Sequence, residues 1–314
     1  MSDLTRAPSL SLLERTRDLA TMSEDELKRL AAEAARDRDA EALWALTEAH
    51  LTLHGSAGSR VSLHTLAAYR RGLNDLLKAW QGENLLRPRR NAGVLYVREL
   101  EGRLKPASVG VKLAAAKAFY AALRWSGATD TAPFADVRAA VDKTPAWEKR
   151  DAYTRTEVHW LERTSEGYTL YVVLLGAHAG LRVSEMTALT WEDIDLGGGT
   201  LKVVAGKGGK TARVNLSSTL VKVLEQVPLD KRTGYLLPAR SRIAAYKRLE
   251  AACRVAKVKF KGVHALRHTS GTRLHDETGD LALVADHLRH NSLDTARGYA
   301  KSNNAQLKKA VGEW

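Results

Sequence analysis

Nine residues in the middle of the chain, Asp142 to Arg150 (DKTPAWEKR), constrain its fold more than any other stretch. They are polar, contain a proline and follow neither a helical nor a strand period. On both sides the chain is patterned, and at 44% hydrophobic overall it can bury real cores. Its 314 residues also exceed what one core usually holds. The expectation is therefore two bodies, residues 1–142 and 153–314, joined by a linker at 143–152.

The first body reads as all-helical, with about four or five helices. Ser23-Glu24-Asp25-Glu26 has the form of an N-cap with an acidic first turn, followed by Leu27, Leu30, Ala31 and Ala34 at helical spacing. Gly55 to Ser59 is a small-residue break. In SLHTLAAYRRGLNDLLKAW, the residues Leu63, Leu66, Ala67, Leu73, Leu76, Leu77 and Trp80 form an apolar stripe, with Arg70, Arg71 and Lys78 opposite. A further helix starts after Pro106 and ends at Gly127.

The second body mixes periods. Thr154-Arg155-Thr156-Glu157 reads as a capping box that opens a helix. Leu201–Val204 and Ala212–Leu216 are short β-type runs around the glycine-rich, basic segment GKGGK, a hairpin signal with a long tip. From about Ser217 the pattern is helical again. The fold class is thus mainly α with a small β-sheet: an N-terminal all-helical domain and a C-terminal mixed α/β domain.

Charge narrows the partner. The formal net charge is +13, and the window from Lys202 to Arg267 holds sixteen Lys and Arg against three Asp and Glu, so it carries the whole excess. A local basic surface points first to nucleic acid. Arg70, Arg71, Lys210, Arg213, Arg242, Lys247 and Arg289 are the candidate DNA-contacting cations. The single cysteine, Cys253, leaves no intrachain disulfide and fits a reducing compartment. The N-terminus does not read as a signal peptide. The longest apolar run, Tyr168 to Leu181, is interrupted by Gly176 and His178 and is too short to span a bilayer. No membrane partner is expected, and a cytoplasmic, nucleoid-associated location fits.

Several residues could do chemistry on a phosphate. Arg182 and Glu185 are three apart and would share a helical face. The guanidinium fork could grip two phosphate oxygens while Glu185 holds it from behind, though an ordinary surface ion pair fits the same spacing. His264 and Arg267 repeat the spacing, with Arg267 a second phosphate cation and His264 a hydrogen-bond donor or proton relay. His264 and His268 are four apart, but the intervening Ala-Leu-Arg lacks the glutamate of a zinc helix, so no metal is expected. Lys207, at the hairpin tip, could donate a proton to a leaving oxygen, and Lys210 competes for that role. His290 lies nine residues before Tyr299. Tyrosine, with a pKa of roughly 10, becomes a nucleophile only where cations or a base surround its oxygen. Taken alone, Tyr299 fits a half-buried core position equally well.

Together these segments resemble the tyrosine recombinase (phage integrase) family, which includes the Xer chromosome-resolution enzymes. AGLRVSEMTALTWEDID resembles the first-arginine box and GKGGKTARVNL the lysine hairpin. HALRHTSGTRLHDETGDLALVADHLRH resembles the His-x-x-Arg box running into the second histidine, and NSLDTARGYA the tyrosine segment. Upstream, SLHTLAAYRRGLNDLLKAW and VKLAAAKAFYAALRWSG resemble the helical core-binding domain. The resemblance implies that Tyr299 attacks the scissile phosphate to form a 3′-phosphotyrosine and release a 5′-hydroxyl. Arg182, Arg267, His264 and His290 would stabilise the five-coordinate phosphorus, with Glu185 in support, and Lys207 would protonate the leaving oxygen. It implies no cofactor, since the bond energy stays in the phosphotyrosine. It implies double-stranded DNA with a specific target site as partner, and a homo-tetramer, or a hetero-tetramer with a second recombinase, on two sites with a Holliday junction between cuts. The two domains would clamp duplex DNA.

This chain departs from the family in two places. Arg289 stands where the family usually has glycine, and residues 1–55 exceed a minimal core-binding domain, to be read as an added helix pair or an extra helical arm. The tail presents Leu307, Ala310 and Val311 on one helical face for a neighbouring subunit or for its own domain. Alternative readings are a monomeric type IB topoisomerase-like relaxase, a non-catalytic DNA-binding protein, and a metal nuclease using Glu192, Asp193 and Asp195. Those acids fit better as turn caps.

Overall fold

A computed structural model describes residues 7–142, 144, 151–204 and 211–289. The chain divides into two compact units, residues 1–143 and 144–314. Most of the expected linker, residues 143 and 145–150, lies outside the described residues, as do the hairpin tip at 205–210 and everything from His290 onward.

Among the described residues the first unit holds six α-helices, one more than the upper expectation. They are α1 (Ala7–Thr21), α2 (Glu24–Asp37), α3 (Ala40–His54), α4 (Leu63–Ala79), α5 (Ala92–Glu101) and α6 (Pro106–Trp125). Local chemistry sets their ends. Ser23 and Glu26 form the expected capping box at the start of α2, with the Ser23 N–H donating to Glu26 Oε2 at 3.1 Å. Arg38 ends α2 in the left-handed region (φ 56°), and Asp39 starts α3 by accepting from the N–H groups of Glu41 and Ala42. Two residues therefore reverse the chain, where the sequence shows little break. On α4, Leu66, Leu73, Leu76 and Leu77 are buried, as is Trp80 at its C-cap, but Leu63 is 56% exposed and Ala67 also faces solvent. Successive helical residues turn 100°, which carries Leu63 and Ala67 to one flank of the buried face. The stripe is thus narrower than the sequence suggests. Trp80 stacks on Phe134 at 5.4 Å and meets Tyr96 and Tyr120 edge-on, building an aromatic centre for this core.

The second unit opens with α7 (Arg155–Thr164), capped by the expected Thr154–Glu157 box. Next comes α8 (Gly167–Ala177), buried from Val172 to Ala177, and the short α9 (Val183–Met186). A three-stranded antiparallel sheet follows, ordered β1 (Ile194–Asp195), β2 (Thr200–Val203), β3 (Ala212–Asn215), with Leu201 opposite Val214 and Lys202 opposite Arg213. Leu201, Val203 and Val214 face the core while Lys202 and Arg213 face water, the alternation of a half-buried sheet. The remaining helices are α10 (Ser218–Glu225), α11 (Arg242–Val255), α12 (Val263–Thr278) and α13 (Leu281–His287). Helix α12 packs on α8 so closely that a Cβ on Gly176 would lie 2.6 Å from the Leu266 Cβ. That contact fixes α12, and with it Arg267, against the end of α8. Among the described residues no helix is long and apolar enough to cross a membrane.

Candidate active site

The site forms where α8 ends. Gly180 turns the chain with φ +59°, and Arg182 becomes the N-cap of α9 rather than a mid-helix residue. Its partnership with Glu185 is therefore a cap as well as an ion pair. The Arg182 N–H donates to Glu185 Oε2 at 2.8 Å, and Arg182 Nη1 donates to Oε1 at 2.7 Å. The Arg182 side chain keeps 30% of its surface exposed, while Glu185 keeps 7%.

Two more guanidiniums reach Glu185 from other elements. Arg267, on α12, is 1% exposed; its Nη1 donates to the Gly180 carbonyl and lies 3.9 Å from Glu185 Oε2, and its Nη2 donates to the Leu288 carbonyl. Arg289, just past α13, donates from Nη2 to Glu185 Oε2 at 2.8 Å and to the Gly180 carbonyl at 3.2 Å, and from Nη1 to the His287 carbonyl at 3.0 Å. Burial pulls the Glu185 carboxyl upward, but the Arg289 charge and the Arg182 N–H and guanidinium outweigh it and hold the group below the usual carboxylate range. Nearby, His287 Nε2 lies 2.8 Å from Ser270 Oγ. Burial, then the charges of Arg289 and Arg267, push that imidazole down to about 4.

Not every expected site residue sits as the sequence suggests. His264 and Arg267 share α12, but His264 is exposed, its ring 4.6 Å from that of His268, whereas Arg267 is turned into the protein. Arg289, expected among the DNA-facing cations, is instead 12% exposed and directed inward, because its left-handed turn aims the side chain back at Glu185. Arg70 is exposed and ion-paired with Glu41; Arg71, Arg213, Arg242 and Lys247 are exposed. Lys207, Lys210, His290 and Tyr299 lie outside the described residues. Sequence reasoning does not single out Gly180, His287, Ser270 or the Leu288 carbonyl. Gly180 carries a signal all the same, as the glycine two residues before Arg182.

The three acids of the nuclease alternative are occupied by turns. Asp193 Oδ2 accepts from the Thr190 hydroxyl at 2.9 Å, Asp195 Oδ1 from the Gly198 N–H at 2.8 Å, and Glu192 Oε1 from the Gly234 N–H at 3.3 Å. Among the described residues no group of three or more His, Cys, Asp or Glu side chains is placed to hold a metal ion.

The second unit thus gathers arginines from three separate elements at one carboxylate. Residues 155–306 match the phage integrase family, and residues 56–127 match the N-terminal SAM-like domain of phage integrases. The chain is 31% identical over 283 residues to the tyrosine recombinase XerC of Pelobacter propionicus, spanning 79% of this chain and 87% of that protein. It is equally identical over 266 residues to XerC of Xanthomonas campestris pv. campestris, spanning 80% and 82%. Among solved structures, XerH bound to palindromic difH aligns over 99% of this chain and 98% of that one, with a TM-score of 0.65 and 18% identity. A lambda integrase dimer bound to a COC′ core site aligns over 86% and 95%, with a TM-score of 0.64 and 17% identity. Those two likenesses concern the fold. The chain belongs to the tyrosine recombinases of the phage integrase family, site-specific enzymes that cut and rejoin DNA.

Proposed function

We propose that Tyr299 is the nucleophile of this recombinase and that Arg182 and Arg267 are its phosphate cations. The Tyr299 phenol gives up its proton to surrounding water, its oxygen attacks the scissile phosphorus, and the bond to the 5′-oxygen breaks. That oxygen leaves as a hydroxyl with a proton from Lys207, and a 3′-phosphotyrosine remains. His264 and His290 share the charge on the phosphoryl oxygens. Attack by the 5′-hydroxyl of a second strand reverses the step and rejoins the DNA through a Holliday junction. The substrate is double-stranded DNA with a specific site, held by four protomers on two sites, in the cytoplasm with the nucleoid.

The observation that carries this reading is the convergence of Arg182, from α9, and Arg267, from α12, on Glu185. Cations held at one point stabilise the charge that grows on the phosphoryl oxygens during attack. Arg182, 30% exposed, already faces solvent. Arg267, 1% exposed and bonded to the Gly180 and Leu288 carbonyls, has either to turn out of those bonds to touch the phosphate or to act through the charge it adds to the site. The recombinase relatives, matched along four-fifths of the chain, favour strand exchange over the relaxation chemistry of a type IB topoisomerase. An intact Arg182–Glu185 pair weighs against a chain that only binds DNA.

The test is Arg182→Ala on a nicked suicide duplex under single-turnover conditions. Cleavage is expected to slow roughly 10²–10³-fold, as when one transition-state donor is removed, with DNA affinity changing little. Weakened binding with an intact cleavage rate contradicts the role.

A further inference from the structure

Arg289 occupies a position that rewards glycine. Its φ of 54° is left-handed, a region that side chains with a Cβ adopt at a cost and glycine adopts freely. It is one of three such non-glycine residues among those described. The strain comes with partners for both terminal nitrogens, while the buried Nε has none. Arg289 Nη1 donates to the His287 carbonyl, and Nη2 donates to the Gly180 carbonyl and to Glu185 Oε2. The carboxylate is thereby shared. Oε1 faces the Arg182 guanidinium, while Oε2 takes the Arg182 N–H and Arg289. With both oxygens engaged, the carboxylate plane is fixed, and the Arg182 fork is fixed with it.

Building on the recombinase reading, we propose that Arg289 is a positioning residue for strand cleavage: it locks Glu185 from the far side, so that Arg182 presents its guanidinium to the scissile phosphate in one orientation. The charges facing Glu185 are Arg182 at the start of α9, Arg267 on α12 and Arg289 after α13. His287 lies against Arg289 and Arg267 and titrates near 4, below the range in which cleavage would be followed. Of the influences that keep Glu185 ionised, the Arg289 charge is the largest. Removing it lets the carboxyl take up a proton at higher pH. A protonated Glu185 holds Arg182 only loosely.

The experiment compares the full-length wild type with Arg289→Gly and Arg289→Lys, measuring single-turnover covalent-complex formation on a nicked suicide duplex from about pH 5 to 9. Arg289→Gly suits the turn, so its melting temperature is expected to stay near wild type. Its DNA affinity should hold, its cleavage should slow about tenfold near neutrality, and the acid limb of its profile should move to higher pH. Arg289→Lys keeps a cation but not the fork, so its acid limb should stay in place while its plateau falls. An Arg289→Gly profile that superposes on wild type overturns the proposal. So does a uniform loss at every pH, which is what a structural role alone would give. Should Arg289→Gly melt early, its profile is taken below its melting temperature, and an acid limb that stays at the wild-type pH overturns the proposal. A wild type that makes no covalent complex overturns the recombinase reading and this inference together, whereas a cleaving wild type with an indifferent Arg289 removes this inference alone.

Discussion

A carboxylate taken out of water costs several kcal/mol unless cations and donors meet it. At Glu185 three guanidiniums and one backbone N–H do so, and two of those guanidiniums are tied down again by the Gly180 carbonyl. Gly180 is therefore required twice over, for its φ of +59° and for space. A Cβ there would lie 2.6 Å from Leu288 Cδ2 and 3.2 Å from His287 Nε2. Gly180→Ala is expected to destabilise the second unit by about 2 kcal/mol, lowering its melting temperature by roughly 4–8 °C, and to impair cleavage as well. An unchanged melt and unchanged cleavage would mean that the carbonyl position does not matter. His287 gives a pH signature. Its folded pKa, about 4, lies below its unfolded value of 6.5. The unfolded chain therefore binds the extra proton between those values, and stability falls as pH drops through that window. The loss between pH 7 and 4 is on the order of 3 kcal/mol from this one group. In His287→Gln the acid-side decline in denaturant midpoint should be shallower; an identical decline assigns it to other groups.

Elements set by local chemistry are legible in the sequence. The boxes at Ser23 and Thr154 depend on a few neighbouring residues, and the β2–β3 hairpin on alternation around a glycine-rich tip. Thr154→Ala should cost about 1 kcal/mol, read as a lower denaturant midpoint with an unchanged slope. No shift would show that the Glu157–Lys261 pair, at 2.9 Å, holds the start of α7 by itself. What contacts between distant residues decide is not legible there. The two-residue β1 exists only through its pairing with β2, and α1 to α3 are separated by too few residues for the number of helices to be counted from periodicity. Spacing pairs Arg182 with Glu185 but puts them on a helical face, whereas the turn at Gly180 makes Arg182 a cap. Arg267 can be named as a cation from its motif. Its burial cannot, because the carbonyl it meets at Gly180 is 87 residues away in sequence. Arg289 reads as a surface cation because nothing local announces a left-handed arginine.

On the scale of the whole chain, each unit carries its own family match, the SAM-like segment in the first and the integrase segment in the second. Of the net +13, the first unit carries +4 and the second +9. The positive charge is densest between Lys202 and Arg267, where Arg213, Arg242 and Lys247 are exposed. The tail with Leu307, Ala310 and Val311 lies outside the described residues, as do Lys207, His290 and Tyr299. The phosphate cations proposed on α9 and α12 require a nucleophile to act beside, and Tyr299 is the residue assigned to that work. Wild type and Tyr299→Phe should be incubated with a nicked suicide duplex carrying the target site and resolved in SDS. The wild type is expected to leave a protein–DNA band that survives the detergent, and Tyr299→Phe to bind the same duplex with equal affinity and leave none. A surviving band in Tyr299→Phe would show that another residue makes the covalent bond.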